Sequence, residues 1–424
     1  MLGGNEAARR LDVFAVVVLV GWLIFDLTAR TLFGSVPWPN SVIDYRIQYD
    51  AGRTLLETHR YPEHHPYPPP AMAFQASTTI FSFPTAAALW LPLTGLAAVA
   101  SYLALARALN LFRRPGALIA LPLAHFVVAY YFQWDMRSVN CNLLMLAAIL
   151  FGCTALAEGR DAAAGGWFAA SVALKLFPFL ILPYLAWTRR WSAFGWTVVF
   201  SLVFWIGVPL IAFGSGFTDV YAGWVNEVTR VTDPTMKHAH PILISLEKAA
   251  LHVTSTATAA RAVVLGVCGL WVGIGLAGAA ACWGTRPRDG YAIVAHVSLL
   301  VLGPLAVNPY LEPYHLVLLA APAVLLIAAA IDPHQTSRVR FVAAIGFVLG
   351  TVILKASSPW EVRGLLVNAQ AIVMCSAAVW VTWARTSIAA TTQASVRRVG
   401  VVSILRQLFQ RRTHFSGQSQ EQPR

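Results

Sequence analysis

Residues 313–331 read PYHLVLLAAPAVLLIAAAI, and no side chain from Leu316 to Ile331 carries a charge. Apolar runs of roughly 16–28 residues recur along the whole chain. The 424 residues are 57% hydrophobic and 12% charged, about half the charged fraction of a soluble domain, and the mean hydropathy is +0.61. Backbone polar groups in lipid must be satisfied within their own segment, so these runs predict an all-α, polytopic transmembrane helical bundle.

The apolar runs divide into about twelve predicted spans. The run 69–112 is too long for one crossing of about 20 residues, and the break at Phe83-Pro84 is interpreted as a tight turn. An amino terminus on the inside places most basic loops in the cytoplasm, but Arg113 and Arg114 then fall outside, against the positive-inside rule. The predicted spans are 11–33, 69–83, 85–112, 117–133, 139–157, 166–187, 192–213, 258–283, 290–306, 313–331, 338–356 and 364–385.

The chain is predicted to form one transmembrane domain, residues 1–385, followed by a basic cytoplasmic tail, residues 386–424. Residues 396–412 of the tail form an amphipathic stretch suited to the inner membrane surface, and the last ten or so residues are expected to be disordered. The formal net charge is +12. Because the basic residues lie in short loops and in the tail, this charge predicts contact with anionic membrane lipids and no binding of nucleic acid.

Neither the cysteines nor the histidines indicate a bound cofactor. The five cysteines all lie in apolar segments without a CxxC pair, so they are expected to be packing residues. His59, His64 and His65 lie in a Pro-broken loop without the paired carboxylates of a firm metal site. The sequence has no DxD motif of the kind that holds a nucleotide-sugar's metal. We therefore predict no cofactor, and the sequence leaves a requirement for a divalent metal open.

Two sizeable polar segments, 34–68 and 214–257, lie on the outer side in this topology. The first contains DYRIQYDAGRTLLETHRYPEHHPYPPP at residues 44–70. The part from Asp44 to Glu57 lacks Pro and has apolar residues at helical spacing, which predicts a helix along the membrane surface. The second segment is predicted to be an interfacial loop that ends in a short helix from Pro241. The predicted apolar face of the first helix consists of Tyr45, Ile47, Ala51 and Leu55.

Two charged residues have both a functional and a structural interpretation. Polar groups gathered on one side of a membrane bundle indicate a site there. Asp44 is a candidate for that site, but Asp is also favoured as the N-cap of a helix such as the one that it starts. Lys175 lies within KLFP, inside a span, and needs a partner or an anionic ligand. An ion pair, or a side chain that extends to the interface, is the alternative.

The order of several short motifs resembles glycosyltransferase family 87. An Asp begins the first outer loop and is followed by YR…Y.AGR.LL…YP…YPPPA, an Asn-containing turn, a K.FP span and an NP…HLVLL span. The resemblance covers roughly residues 10–385. It implies an integral-membrane GT-C enzyme that uses a polyprenyl-phosphate sugar, in a family that includes mycobacterial phosphatidylinositol-mannoside mannosyltransferases. It therefore implies membrane lipids, a polyprenyl-phosphate sugar donor and a glycolipid or glycan acceptor as partners.

The resemblance also assigns roles to individual residues. It implies that Asp44 is the catalytic base and that His315 contacts the donor phosphate. A sugar on a lipid phosphate already has a good leaving group, so the enzyme needs a carboxylate for the acceptor proton and cationic or hydrogen-bonding groups around the phosphate. Asp50 is a rival base. The further candidates for donor-phosphate or substrate binding are Arg53, Tyr67, Asn140, Lys175 and Asn308.

The sequence thus predicts an inverting glycosyltransferase that transfers mannose, another hexose or arabinofuranose on the outer side of a bacterial inner membrane. A transporter or flippase of a lipid-linked sugar is the alternative, although transporters place polar residues at the midplane between related halves, and no repeat is visible here. The topology creates one conflict. If residues 69–83 cross the membrane fully, the turn at Asn140 lies on the side opposite Asp44.

Overall fold

A computed structural model of the chain describes residues 2–32, 43–63, 65, 67–231, 246–254, 256–281, 289–306, 311–355, 363–385 and 387. Every regular element within these ranges is helical. The α-helices are α1 Leu2–Leu32, α2 Ile43–Thr58, α3 Pro69–Thr78, α4 Phe83–Ala108, α5 Ala120–Ser138, α6 Asn142–Ala157, α7 Asp161–Leu174, α8 Ile181–Trp187, α9 Trp191–Leu202, α10 Val208–Phe213, α11 Phe217–Val231, α12 Leu246–Thr254, α13 Ala257–Ala281, α14 Gly290–Ala306, α15 Ala320–Ile331, α16 Ser337–Lys355 and α17 Arg363–Arg385.

The predicted all-α membrane bundle is confirmed, whereas the count of twelve spans is not. Within the described residues, seven helical segments are long and apolar enough to cross a membrane. Three shorter apolar helical segments lie among them, at Asn142–Ala157, Phe177–Trp187 and Gly290–Ala306. The seven long segments are Glu6–Thr28, Phe83–Ala108, Ala117–Met136, Trp191–Arg230, Ala257–Ala280, Pro313–Ile331 and Arg363–Arg385.

Residues 69–83 do not cross the membrane, so this predicted span is wrong. The helix in this segment, α3, has 10 residues. At 1.5 Å per residue it is about 15 Å long, half of the roughly 30 Å needed for the apolar core of a bilayer. It packs instead on α2, α10 and α11 through a cluster of Ala51, Leu55, Met72, Ala73, Phe213 and Val220.

Because α3 does not cross, α4 begins at the same end of the bundle as α2. Tyr45 of α2 stacks on Phe83 and Trp90 at the start of α4, with ring centroids 6.1 and 5.5 Å apart. The Trp90 indole donates a 3.0 Å hydrogen bond to the carbonyl oxygen of Val139, which follows α5. The turn after α5 therefore lies at the same end, which we call the site end.

The opposite end carries several ion pairs, and we call it the basic end. Arg114 Nη1 lies 2.9 Å from an Asp332 carboxylate oxygen, and Arg385 Nε lies 3.5 Å from Asp289. Arg113 and Arg114 lie here and not beside α2, so the one predicted exception to the positive-inside rule disappears. Further pairs join Arg107 with Glu158, Arg160 with Glu158 and Arg190 with Asp161.

Between the two ends, three helices share a buried polar network. His125 of α5 lies 3.2 Å from the Asp26 carboxylate of α1 and 3.0 Å from the Tyr102 hydroxyl of α4. Gln133 donates a 2.7 Å hydrogen bond to the other Asp26 oxygen. The side chains of Asp26 and His125 are fully buried. A buried polar group without a hydrogen bond costs free energy, and these contacts provide the hydrogen bonds that both side chains need.

Helix α2 matches the predicted surface helix within one residue at each end, but its buried face differs in one position. Tyr45, Ala51 and Leu55 are buried as predicted, whereas Ile47 is 49% exposed. Gln48 takes the buried place because its side-chain amide bonds to groups of α3 and of the preceding segment. The spacing of apolar residues could not predict that Gln48 is buried in place of Ile47, because that pattern treats every amide side chain as exposed.

Other predictions concern the second polar segment and the tail. Residues 217–231 form helix α11 and not the predicted loop. Pro241 lies outside the described residues, and so does the tail from 386 onward apart from residue 387. The predicted domain boundary at 385 and the amphipathic tail stay predictions.

Candidate functional site

The residues predicted from widely separated motifs largely meet at the site end. They come from the start of α2, the segment before α3, the turn after α5, the end of α7 and the 3₁₀ turn Pro313–Leu319 before α15. We call this group the site cluster. It consists of Asp44, Tyr67, Asn140, Lys175, Glu312 and His315.

Lys175 is a buried cation, and none of the described carboxylates forms an ion pair with it. It follows α7 in an extended conformation, and the next short helical turn begins at Phe177. The side chain is 8% exposed, and its Nζ lies 2.9 Å from His315 Nε2. Among the described residues, no Asp or Glu oxygen lies within the 4.0 Å of an ion pair with Lys175. A buried ammonium in this position favours an anionic ligand.

Two aromatic rings also face the Lys175 ammonium. Its Nζ lies 5.5 Å from the ring centroid of Tyr67 and 5.7 Å from that of Tyr314. The negative faces of aromatic rings attract a cation without neutralising its charge. The rings therefore stabilise the buried ammonium and leave its hydrogen atoms available to a ligand.

His315 is held by a capping box that begins at Glu312. The Glu312 side chain accepts the backbone N–H of His315, and the Glu312 backbone N–H donates to His315 Nδ1 at 3.1 Å. Because Nδ1 accepts a hydrogen bond, we assign the proton of the neutral ring to Nε2. Nε2–H and the Lys175 ammonium are then two donors side by side. An anionic oxygen that accepts from both satisfies them.

Tyr67 and Asn140 join the cluster through a chain of side-chain amides. The Asn140 Nδ2 lies 3.3 Å from the Tyr67 hydroxyl, to which Gln48 also donates at 3.2 Å. Gln75 in turn donates to Gln48 at 3.1 Å. Burial raises the pKa of Tyr67 well above its usual value, so the phenol stays neutral and retains its proton for hydrogen bonding.

The position of Asn140 resolves the conflict in the predicted topology. Val139 has a φ of +53°, and this left-handed residue ends α5 and turns the chain into α6. Asn140 is fully buried and lies beside Tyr67, on the same side as Asp44. The predicted crossing at 69–83 was the wrong step, because Asn140 and Asp44 lie at the same end of the bundle.

Asp44 is the second residue of α2 and is half-buried. Its charge acts on Tyr67 and Glu312, so it belongs to the site cluster. Burial and, to a smaller extent, the Asp44 charge raise the pKa of the Glu312 carboxyl to about 7, although the Lys175 charge opposes the shift. The site therefore contains two carboxyl groups in different environments.

Some of the predicted residues do not enter the cluster. Arg53 is 63% exposed and its Nε lies 2.6 Å from Glu57, on the outer face of α2. Asp50 is also exposed and lies 3.7 Å from Arg46. Asn308 is outside the described residues. Across the described part of the chain, no group of three or more His, Cys, Asp or Glu side chains has the arrangement of a metal site.

Gln48, Gln75 and Glu312 were not among the residues predicted from the sequence. The stretch NPYLEPYHLVLL contained a signal for Glu312. Glu312 lies three positions before His315, which is the spacing between the two residues of a helix capping box. No comparable signal marks Gln48 or Gln75, because a buried amide within an apolar pattern resembles an ordinary exposed position.

The fold and the site define a helical membrane protein in which a buried cation and several polar side chains gather at one end of the bundle. A family model described as glycosyltransferase family 87 matches residues 65–309, which is more than half of the chain, and the protein belongs to this family. No curated protein and no solved structure matches the chain. The match includes Tyr67, Asn140 and Lys175, while Asp44 and His315 lie outside it. Family membership makes the protein a membrane glycosyltransferase and favours the enzyme over the transporter.

Proposed function

We propose that the protein transfers a sugar from a polyprenyl-phosphate donor to a glycolipid or glycan acceptor, with inversion at the anomeric carbon. The observation that carries the proposal is the pair of donors formed by Lys175 and His315, 2.9 Å apart and buried at the site end. A phosphodiester presents the anionic oxygens that such a pair binds.

A lipid-linked donor suits this site better than a nucleotide sugar. Lys175 ends a helix within an apolar bundle, and His315 begins the apolar segment Pro313–Ile331. A polyprenyl chain can lie along such segments while its phosphate reaches the two donors. The sequence also lacks a DxD motif for the metal of a nucleotide sugar.

Asp44 supplies the base in this proposal. The acceptor hydroxyl attacks the anomeric carbon, the bond from that carbon to the phosphate oxygen breaks, and polyprenyl phosphate leaves. Asp44 takes the acceptor proton as the new bond forms. Lys175 and His315 stabilise the charge that develops on the departing phosphate. Tyr67 and Asn140 are placed to donate to sugar or phosphate oxygens.

The proposed orientation follows from the distribution of basic residues. The basic end carries Arg107, Arg114 and Arg385, and short basic loops favour the cytoplasmic side. The site end then faces the outside of a bacterial inner membrane. The sugar is proposed to be mannose, another hexose or arabinofuranose.

The test is a transfer assay with a panel of synthetic polyprenyl-phosphate sugars and a membrane lipid extract as acceptor. Asp44→Asn keeps the shape and the ability to cap a helix, but it cannot take a proton, so turnover should fall by about 10²–10⁴-fold. Asp50→Asn is the matched control and should retain activity, since Asp50 lies on the exposed face.

A purely structural role for Asp44 predicts different results. Asp44→Asn would then be nearly silent, and Asp44→Ala would destabilise the fold by about 1 kcal/mol. Near-normal transfer by Asp44→Asn ends the catalytic assignment. Loss of transfer only in Asp50→Asn moves the base to Asp50. If no polyprenyl-phosphate sugar supports transfer by the wild type, the proposed donor class is wrong.

A further inference from the structure

Glu312 is a half-buried carboxyl group of the site cluster that the proposed reaction does not use. It comes directly before the segment that begins at Pro313, and it lies at the site end, close to Lys175. The role that we infer for Glu312 rests on the proposed function.

The geometry connects Glu312 with the donor pocket through His315. The Glu312 carboxyl accepts the His315 backbone N–H, and the Glu312 N–H donates to Nδ1 at 3.1 Å. Together these contacts fix the ring so that Nε2 faces Lys175 at 2.9 Å. Glu312 thus determines where one of the two phosphate donors points.

Charged and titratable groups face Glu312 from several elements. Asp44 comes from α2 and Lys175 follows α7, and both act on the Glu312 carboxyl. Asp135 of α5 also interacts with Lys175 and Asp44, but its carboxylate is bound by Asn142 at 2.6 Å. Among the described residues, the titratable neighbours also include His315 and Tyr314 in the same turn, and Tyr67, whose phenol senses Glu312.

Binding of the donor adds an anion to this group. With Asp44 and Glu312 both ionised, the phosphate would be the third negative charge around one ammonium. Repulsion among like charges at close range favours protonation of one carboxyl. Asp44 must stay ionised to act as the base, whereas the pKa of Glu312 is already raised to about 7. Glu312 is therefore the group that can take up the proton at little cost.

We propose that Glu312 is a positioning residue for the donor phosphate, which orients His315 toward Lys175 and takes up one proton when the donor binds. Below the pKa of Glu312 the proton is already present, and donor binding is strongest. Above it, each binding event must recruit a proton from solution, so the apparent affinity for the donor should be roughly tenfold weaker at pH 8 than at pH 6. The donor is a phosphodiester that stays a monoanion over this range, so the change reports on the protein.

The experiment measures donor KM and equilibrium donor binding at pH 6, 7 and 8 in purified protein. Glu312→Gln keeps an oxygen for the His315 N–H but is always neutral. Its donor affinity should stay at the low-pH value of the wild type and vary less than about twofold with pH. The matched control is Glu158→Gln at the basic end, where Glu158 pairs with Arg107. It should keep the tenfold dependence of the wild type.

A second measurement needs no variant. Calorimetry of donor binding in buffers of different ionisation enthalpy should show uptake of about 0.5 proton per donor at pH 7, because Glu312 is about half protonated before binding. Zero uptake overturns the inference, and so do parallel pH profiles for the wild type and Glu312→Gln. Neither result would contradict the proposed function. Absence of both donor binding and transfer in the wild type would refute the proposed function and this inference together.

Discussion

Substitution of Gly52 by Ala should move the proposed base while Lys175 and His315 keep their positions. Gly52 lies in α2 where that helix crosses α3, and a Cβ placed there would be 2.9 Å from the backbone N and Cα of Ala76. An ordinary contact needs 3.4 Å or more, and backbone atoms cannot rotate away. The two helices must therefore separate by roughly 0.5 Å or more, since repulsion rises steeply below contact distance.

The shift reaches the active site because Asp44 lies on the same rigid helix, two turns earlier. Misplacement of a catalytic group by about 1 Å can cost 10²-fold in rate. We therefore expect kcat for sugar transfer to fall by about 10–10²-fold, with little change in donor KM, since Lys175 and His315 lie on other elements. The overlap should also lower the free energy of unfolding by about 1–3 kcal/mol.

The assay is transfer from a polyprenyl-phosphate sugar at saturating donor, with thermal unfolding of the purified protein measured in parallel. Gly266→Ala is the matched control, because a Cβ at Gly266 of α13 meets nothing within 4 Å. It should not lower the free energy of unfolding, because Ala is favoured over Gly by roughly 0.5–1 kcal/mol inside a helix, and it should leave kcat unchanged. Transfer by Gly52→Ala within twofold of the wild type would show that α2 does not set the position of the base.

Two further predictions concern the buried polar network in the middle of the bundle and the orientation of the protein in the membrane. Asp26→Leu and His125→Leu should each lower the free energy of unfolding by about 3–5 kcal/mol, because each substitution leaves a buried partner unpaired. The double variant should be destabilised by less than the sum of the two single variants. Additive changes in the unfolding free energy would show that the two residues are not coupled. A cysteine at position 63 should react with an impermeant thiol reagent in intact spheroplasts, whereas one at position 334, at the basic end, should react only after lysis; the reverse pattern would place the site in the cytoplasm.

Much of the architecture follows from local sequence. The charge-free run before Asp332 has to be helical in an apolar solvent, whatever surrounds it, because no other conformation satisfies its backbone. Helix α2 was predictable for a related reason, since Tyr45, Ala51 and Leu55 recur at helical spacing and no proline interrupts them. These features depend on neighbours within a few turns. The resemblance to the family also rests on short motifs in the sequence.

Only the tertiary structure decided which apolar segments cross and which groups meet. The segment 69–83 carries no charged side chain. Only the structure shows that its helix, α3, has 10 residues and packs against α2, where Gly52 admits the α3 backbone. Lys175 and His315 are 140 residues apart in the chain. By sequence Glu312 has only the spacing of a helix cap, and it becomes a functional candidate where burial, Asp44 and Lys175 act on it together. Electrostatic interactions depend on distance and on the surrounding medium, and the fold alone sets both.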